Sequence, residues 1–568
     1  MASKNLSPIY LKNYPEYTKW DSDVNTFPLT EIWDNAVKKY PNNHVIAFMG
    51  TNITYAELDI EITKMASRLQ KIGMKKGAHI GICMANTPWY VICYQAILKI
   101  GGVVVNFNPL YTKNELTHQI KDSEIKVMLT LDLAMLCNKV IPLIGTEKLN
   151  QIIVCPFDIH LPTLKKLMFN IFKAKAKAKI KQSKTIHTLS SLDNNLPPIK
   201  KVKINVDDLA VLQYTGGTTG RAKGASLTHA NLSANISQCT HWFPTFKDGQ
   251  ERVATFLPLF HVFAMTVCMN FTIKHGCCMI MLPRFELKKA LKAMKQEKGT
   301  MFPGVPTIFQ AITQLPDNQR KKLKDLKIAM SGGAGLPEDT KKTFEKQTGV
   351  ELVEGYGLSE TSPVACANPF NGKSIPQCIG LPLPQTQISL RDLEDPEKEV
   401  KNGQKGELCI KGPQVMKSYW KNKKADKESF TKDGFFRTGD VGQFDEKGFC
   451  YIVDRIKDLI LRGGFNVYPR NIEEAILTHP DVAETIVIGI KDECLGEKPK
   501  AFVKLQKQSN ITEQELLDFV NPKLSKLEQF KDIEFRNELP KTIIGKLSKK
   551  DLREELYFCL NASPILNR

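Results

Sequence analysis

In the stretch Tyr214-Thr-Gly-Gly-Thr-Thr-Gly-Arg-Ala-Lys-Gly-Ala225, Gly216, Gly217, Gly220 and Gly224 let the backbone turn tightly and approach an oxygen-rich ligand. Thr215, Thr218 and Thr219 add hydroxyls, and Lys223 adds a positive charge. Successive N–H groups in such a loop form a concave nest that favours anions. The apolar run Leu209-Ala-Val-Leu212 precedes it as a strand would, which sets it apart from a flexible linker. The chemistry is phosphate binding. No glycine here is followed by four residues and then Gly-Lys-Ser/Thr, so the loop argues for a nucleotide and against a P-loop NTPase.

The elements around the loop read as alternating strands and helices. His79-Ile-Gly-Ile-Cys-Met84 is strand-like, a helix follows over 88–100, and Val103-Val-Val105 is a second buried strand. Thr54-Tyr-Ala-Glu57 has the spacing of a capping box. After the loop, a helix is read within Leu227-Thr-His-Ala-Asn-Leu232, then strands around 253–257, 279–282 and 327–330. The last runs into Ser331-Gly-Gly-Ala-Gly335, and Glu351-Leu-Val-Glu-Gly-Tyr-Gly-Leu-Ser-Glu360 is another strand ending in a polar loop. Such junctions put backbone N–H groups at the carboxyl edge of a parallel sheet, where ligands bind. From Gly380 the pattern changes to short strands and turns, as in Gly406-Glu-Leu-Cys-Ile-Lys411 and Gly448-Phe-Cys-Tyr-Ile-Val453. The expected fold is α/β: a large N-terminal domain, 1–456, of mostly parallel sheets with helices plus a β-rich subdomain, and a small α+β C-terminal domain, 457–568. The charged run Asp454-Arg-Ile-Lys-Asp458 marks the boundary.

With 568 residues the chain exceeds one core. Its 42% hydrophobic and 24% charged content places it among globular proteins rather than disordered ones. A formal net charge of +19 draws anions to the surface without specifying the fold. The 14 cysteines show no CxxC pair or zinc spacing, and read as free thiols in a reducing compartment. Residues 1–15 lack the apolar core of a secretory signal, and Lys99 and Asn270 interrupt the most apolar windows, so the expectation is a cytoplasmic protein without a spanning helix. Between 165 and 184, Lys165, Lys166, Lys173, Lys175, Lys177, Lys179, Lys181 and Lys184 interleave with apolar residues and no acidic one. Two readings stand for it: a solvated excursion, or a basic amphipathic segment on anionic lipid at the inner face of the membrane.

Five motifs in order resemble those of the acyl-adenylate-forming superfamily, which holds acyl-CoA synthetases, luciferases and nonribosomal adenylation domains. They are the loop 214–225, Gly355-Tyr-Gly-Leu-Ser-Glu360, Arg437-Thr-Gly-Asp440, Asp454-Arg-Ile-Lys-Asp458 and Lys541-Thr-Ile-Ile-Gly-Lys546. Within it, Gly412-Pro-Gln-Val-Met416 and Gly464-Phe-Asn-Val-Tyr-Pro469 look most like bacterial long-chain fatty-acid–CoA ligases. The resemblance implies ATP, Mg²⁺ and coenzyme A as cofactor and co-substrates, a long-chain fatty acid as substrate, and a mobile C-terminal domain. By the same resemblance Thr215, Gly216, Gly217, Thr218, Thr219, Gly220 and Lys223 hold the β- and γ-phosphates, and Glu360 with Thr215 holds the metal. Tyr356 stacks on adenine, with Gly333, Gly355 and Gly357 around it. Ser359 touches the α-phosphate, and Asp440 and Arg455 address the ribose. Lys546 reaches the reacting carboxylate, Lys457 is the hinge, and Gly463 and Gly464 lie near the incoming thiol. His261, in Leu257-Pro-Leu-Phe-His-Val-Phe263, borders the acyl pocket.

Two departures are visible. Ala222 stands where a proline commonly precedes the loop lysine, and Ala264-Met-Thr266 stands where some long-chain members carry a tryptophan gate. The rivals within the superfamily are a medium-chain or aryl acid–CoA ligase and a fatty-acyl-AMP ligase. Outside it stands a non-enzymatic, membrane-docked lipid-binding regulator, although the presence of Glu360, Asp440, Arg455 and Lys546 opposes a decayed site. Nucleic acid is not expected as a partner, because the basic cluster is almost purely lysine and no zinc knuckle accompanies it. Oligomerisation is compatible with every one of these readings.

Overall fold

The computed structural model describes residues 8–215, 222–370, 374–463, 465–492, 495–507, 509–541 and 547–561. The chain packs as two compact units, one of 1–387 with 411–429 and one of 388–410 with 430–568.

Among the described residues the first unit holds two large sheets. In the eight-stranded sheet the order is Ser418–Tyr419, Lys223–Thr228, Leu209–Thr215, Val103–Asn106, His79–Cys83, Val127–Leu131, Gln151–Cys155 and Ile186–Thr188. It is parallel from Leu209–Thr215 to Ile186–Thr188 and antiparallel at the other edge. The nine-stranded sheet has a parallel centre, with Leu352–Gly357, Ile328–Gly332, Met301–Gly304, Arg252–Thr255 and Cys278–Met281 in order, and antiparallel strands at both ends. Strands such as Val103–Asn106 and Val127–Leu131 are buried at every position, as strands covered on both faces must be. The capping box is formed: Thr54 Oγ1 accepts from the Glu57 N–H and Glu57 Oε2 from the Thr54 N–H.

One expectation is corrected. Leu227 and Thr228 end a strand, Lys223–Thr228, and the helix starts only at His229, capped by Thr228 with Asn231. The loop 216–221 therefore connects two antiparallel strands, Thr215 pairing with Lys223. Glycine and alanine hide that second strand from a search for β-branched runs.

The second unit contains a four-stranded sheet of Gln387–Arg391, Gly406–Lys411, Phe436–Phe444 and Cys450–Arg455, and a further sheet that includes the long pair Val482–Asp492 and Gly496–Leu505. This unit runs across residues 456/457: the Arg470 N–H donates to Asp454 Oδ2 at 2.9 Å and Arg470 Nη1 donates to the Ile452 carbonyl at 2.7 Å. The packing units thus do not divide where the charged run suggests, because the β-rich subdomain packs with the residues after it.

Candidate active site

Within the first unit, three segments distant in sequence meet at the base of the 216–221 loop. Strands Leu209–Thr215 and Lys223–Thr228 both touch the short turn Ser359–Thr361. Segment 413–420 is stitched alongside by backbone hydrogen bonds: the Met416 N–H donates to the Glu360 carbonyl at 2.7 Å, Lys417 to Ser226 at 3.2 Å and Trp420 to Gly224 at 2.7 Å. The result brings Lys223 and Glu360 to the two sides of Tyr419, a residue that the sequence did not single out, with Thr215 paired opposite Lys223.

Tyr419 sits between the two charges. Its hydroxyl donates to Glu360 Oε1 at 2.7 Å, and the Lys223 ammonium lies 4.3 Å from the ring centroid, within cation–π range. Burial first, and the Glu360 charge second, push the Tyr419 hydroxyl far above the usual phenol range, so it stays a donor at any working pH. Glu360 is 8% exposed, and its carboxylate and the half-buried Thr215 hydroxyl are hard oxygen donors. Tyr419 lies on a two-residue strand in Lys417-Ser-Tyr-Trp420, too short for periodicity to flag; its place after the 412–416 motif was the available signal.

The loop's base is braced from below. The Tyr214 hydroxyl donates to Asp122, and Trp420 Nε1 donates to the Asp122 carbonyl at 3.1 Å. Burial, then Asp122, push the Tyr214 hydroxyl well up. A Cβ at Gly224 would meet the Tyr214 ring at 3.1 Å, which accounts for glycine at that end of the loop. Gly216, Gly217, Thr218, Thr219 and Gly220 lie outside the described residues.

On the neighbouring sheet, Ile328–Gly332 and Leu352–Gly357 run parallel, with Gly332 opposite Gly355. Gly333 follows at φ +81°, a left-handed position that suits glycine. Tyr356 and Ser359 are half-buried and Gly357 is exposed. A side chain at Gly357 would collide with the Pro363 carbonyl, so the turn bearing Glu360 can close only over glycine.

His261 is half-buried, its Nδ1 accepting from the Phe263 N–H at 3.3 Å. It precedes a π-helical stretch, Ala264–Asn270, every residue of which is buried. Such wide turns are rare and concentrate at functional sites. Thr266 Oγ1 donates to the Ser362 carbonyl at 2.7 Å, and Gln213 Nε2 donates to the Phe260 carbonyl at 3.0 Å, so this segment bridges the Glu360 turn and the strand leading into the loop. The pattern of the sequence did not reveal the π-helix.

In the second unit, Asp440 faces Arg455 across adjacent antiparallel strands, with Oδ1 2.8 Å from Nε. Glu407, which sequence reasoning missed, fixes the motif: it pairs with Arg437 at 2.7 Å and accepts from the Gly439 N–H at 3.1 Å. Lys457 is half-buried in the turn Ile456–Asp458. Around it Asp454 is buried, which raises its carboxyl pKa, and Asp458 pairs with Arg553 at 2.9 Å. Gly463, at φ +59°, is exposed and donates to the Leu495 carbonyl at 2.7 Å. Gly464 and Lys546 lie outside the described residues; on either side of the latter, Lys541 bridges to Leu547.

The family pattern described as "AMP-binding enzyme" matches residues 33–420, and "AMP-binding enzyme C-terminal domain" matches 471–546. A long-chain-fatty-acid–CoA ligase of Bacillus subtilis (strain 168) is 40% identical over 552 residues, covering 96% of this chain and 98% of that protein. A protein of the same name from Yersinia pestis is 35% identical, covering 97% and 98%. Among solved structures, ATP-bound MatB from Rhodopseudomonas palustris superposes with a TM-score of 0.77 at 30% identity, covering 93% of this chain and 98% of that one.

Proposed function

The chain belongs to the AMP-binding enzyme family, and from that premise we propose that it activates a long-chain fatty acid in two steps. The fatty-acid carboxylate attacks the α-phosphorus of ATP, giving acyl-adenylate and pyrophosphate; the thiol of coenzyme A then displaces AMP, giving acyl-CoA. The observation that carries this reading is the near-full-length identity to ligases of that name, on a chain whose strands Leu209–Thr215 and Lys223–Thr228 both touch the turn Ser359–Thr361.

The first step gathers negative charge on phosphate oxygens and so requires cations and fixed donors. Lys223 supplies charge and the 215–220 loop supplies hydroxyls and N–H groups. Glu360 and Thr215 would hold Mg²⁺. Among the described residues no group of three or more His, Cys, Asp and Glu gathers, and one buried carboxylate with a hydroxyl suits a cation whose other ligands are phosphates and water. When bound, that ion offsets charge on the phosphates. Tyr356 would stack on adenine over Gly333 and Gly355, with Gly357 beside it, while Ser359 addresses the α-phosphate and Asp440 with Arg455 the ribose. Lys546 would reach the reacting carboxylate, and His261 would border the acyl pocket. Lys457 would turn the domain 457–568 against 1–456 between the half-reactions, bringing Gly463 and Gly464 to the thiol. The lysines of 165–184 would rest on anionic lipid at the inner face of the membrane. No helix among the described residues is long and apolar enough to span it. The twelve cysteines whose surroundings are described are buried and unbridged, which supports a reducing, cytoplasmic setting.

The test is AMP release from ATP with a panel of medium- to long-chain fatty acids and aryl acids, each with and without coenzyme A. Turnover that requires coenzyme A and peaks at long chains is expected. AMP formation indifferent to coenzyme A would make the protein a fatty-acyl-AMP ligase, and a peak at medium-chain or aryl acids would overturn the substrate assignment.

A further inference from the structure

The helix Thr163–Phe172 turns its apolar side outward. Leu164, Leu167, Met168, Ile171 and Phe172 follow the i, i+3, i+4, i+7, i+8 spacing of one helical face, with exposures of 69%, 56%, 50%, 61% and 75%. A solvent-facing helix of a globular protein normally buries such a stripe. Here the opposite side is fastened instead. Phe169 packs on Phe157 with ring centroids 5.1 Å apart, Asn170 Nδ2 donates to Asp158 Oδ2 at 3.0 Å, and Lys165 Nζ donates to the Met49 carbonyl at 2.6 Å. Immediately after the helix, Lys173, Lys175, Lys179, Lys181 and Lys184 are exposed and form no ion pair among the described residues. The sequence has no Asp or Glu between Asp158 and Asp193.

We propose that this helix lies in the interfacial plane of an anionic bilayer, its five apolar side chains below the headgroups and Lys173, Lys175, Lys179, Lys181 and Lys184 against lipid phosphates. The lysines alone would give only a salt-sensitive encounter; the stripe supplies the anchor. A second copy of the chain is the poorer occupant. The stripe, about 12 Å long at 1.5 Å rise per residue and about 10 Å wide, covers on the order of 100 Å², far short of the roughly 800 Å² per partner of a stable interface. Self-pairing about a two-fold axis would also bring like surfaces, with their uncompensated lysines, face to face. The choice of lipid rests in addition on the proposed long-chain substrate, which itself partitions into bilayers.

Sedimentation with vesicles of phosphatidylcholine containing about one third phosphatidylglycerol tests this on the full chain, without substrate. The variant Leu167→Ser/Ile171→Ser/Phe172→Ser should bind at least about tenfold more weakly while keeping its salt dependence. Lys173→Gln/Lys175→Gln/Lys179→Gln/Lys181→Gln should lose the preference for anionic over neutral vesicles. In Phe172→Trp, the fluorescence of the introduced indole should be quenched by brominated lipid. Wild-type binding by the triple serine variant, or no quenching in Phe172→Trp, overturns the assignment, as does a dimer that the serine variant dissociates while vesicle binding is unchanged. AMP release from detergent-dispersed fatty acid is read separately. Loss of the long-chain preference there overturns the substrate reading and leaves the vesicle result standing.

Discussion

Replacing Tyr419 by phenylalanine removes one atom from the site and nothing from its packing. The lost hydroxyl donates to Glu360 at 2.7 Å, and both residues are buried, so no bulk water replaces it. A hydrogen bond to a charged group contributes about 1.5–3 kcal/mol, equivalent to about 10- to 150-fold at 1.4 kcal/mol per tenfold. The ring that faces the Lys223 ammonium remains, which confines the change to the carboxylate. ATP–pyrophosphate exchange should therefore fall at least about tenfold in kcat/KM, and the Mg²⁺ concentration for half-maximal exchange should rise. A non-hydrolysable ATP analogue should show the same rightward Mg²⁺ shift in a binding titration, a readout independent of turnover. Thioester formation from supplied acyl-adenylate should stay within about twofold, because no pyrophosphate leaves in that step. Exchange within about twofold of wild type at every Mg²⁺ concentration would refute the claim that Tyr419 positions Glu360.

Lys546→Ala should suppress adenylation and spare thioester formation from supplied acyl-adenylate; equal loss of both half-reactions would remove Lys546 from the first step. Gly357→Ala places a methyl group against the Pro363 carbonyl, and overpacking of this kind costs about 1–3 kcal/mol, so the unfolding midpoint should drop together with exchange activity. An unchanged midpoint would mean that the 358–363 turn can shift freely. His229 is buried with Nδ1 accepting from the Leu29 N–H at 3.0 Å, and burial lowers its pKa from 6.5 to about 4. As pH falls the unfolded chain takes up this proton first, so the contribution is fully present above pH 6.5 and lost progressively toward pH 4. The loss amounts to about 3 kcal/mol at 1.36 kcal/mol per unit. Denaturant unfolding over that range should show a shallower fall in His229→Asn, which keeps an acceptor but cannot gain the proton.

The alternating strands and the capping box at Thr54 were legible in the sequence, because each has a local cause. A capping box spans four residues, and a buried parallel strand is an unbroken apolar run. Lys223–Thr228 was misread because its Gly-Ala-Ser composition lacks that run, and its identity as a strand comes from pairing with Leu209–Thr215 on one side and Ser418–Tyr419 on the other. The helix Thr163–Phe172 shows the converse: its periodicity is written in the chain, yet which way the stripe faces depends on Phe157, Asp158 and Met49 holding the other side.

Residue types and order by themselves pointed to a nucleotide phosphate as ligand and to the family of chemistry the chain is similar to, since glycine, threonine and lysine at fixed spacing are the residue types a phosphate cradle requires. Only the tertiary structure decided that Tyr419 joins Glu360 to Lys223, that Glu407 fixes the Arg437–Asp440 motif, and that the apolar stripe of Thr163–Phe172 faces outward. The physical reason is distance along the chain. Hydrogen bonds and ring contacts between residues dozens to hundreds of positions apart are made by sheet order and packing, which no local pattern of side chains encodes.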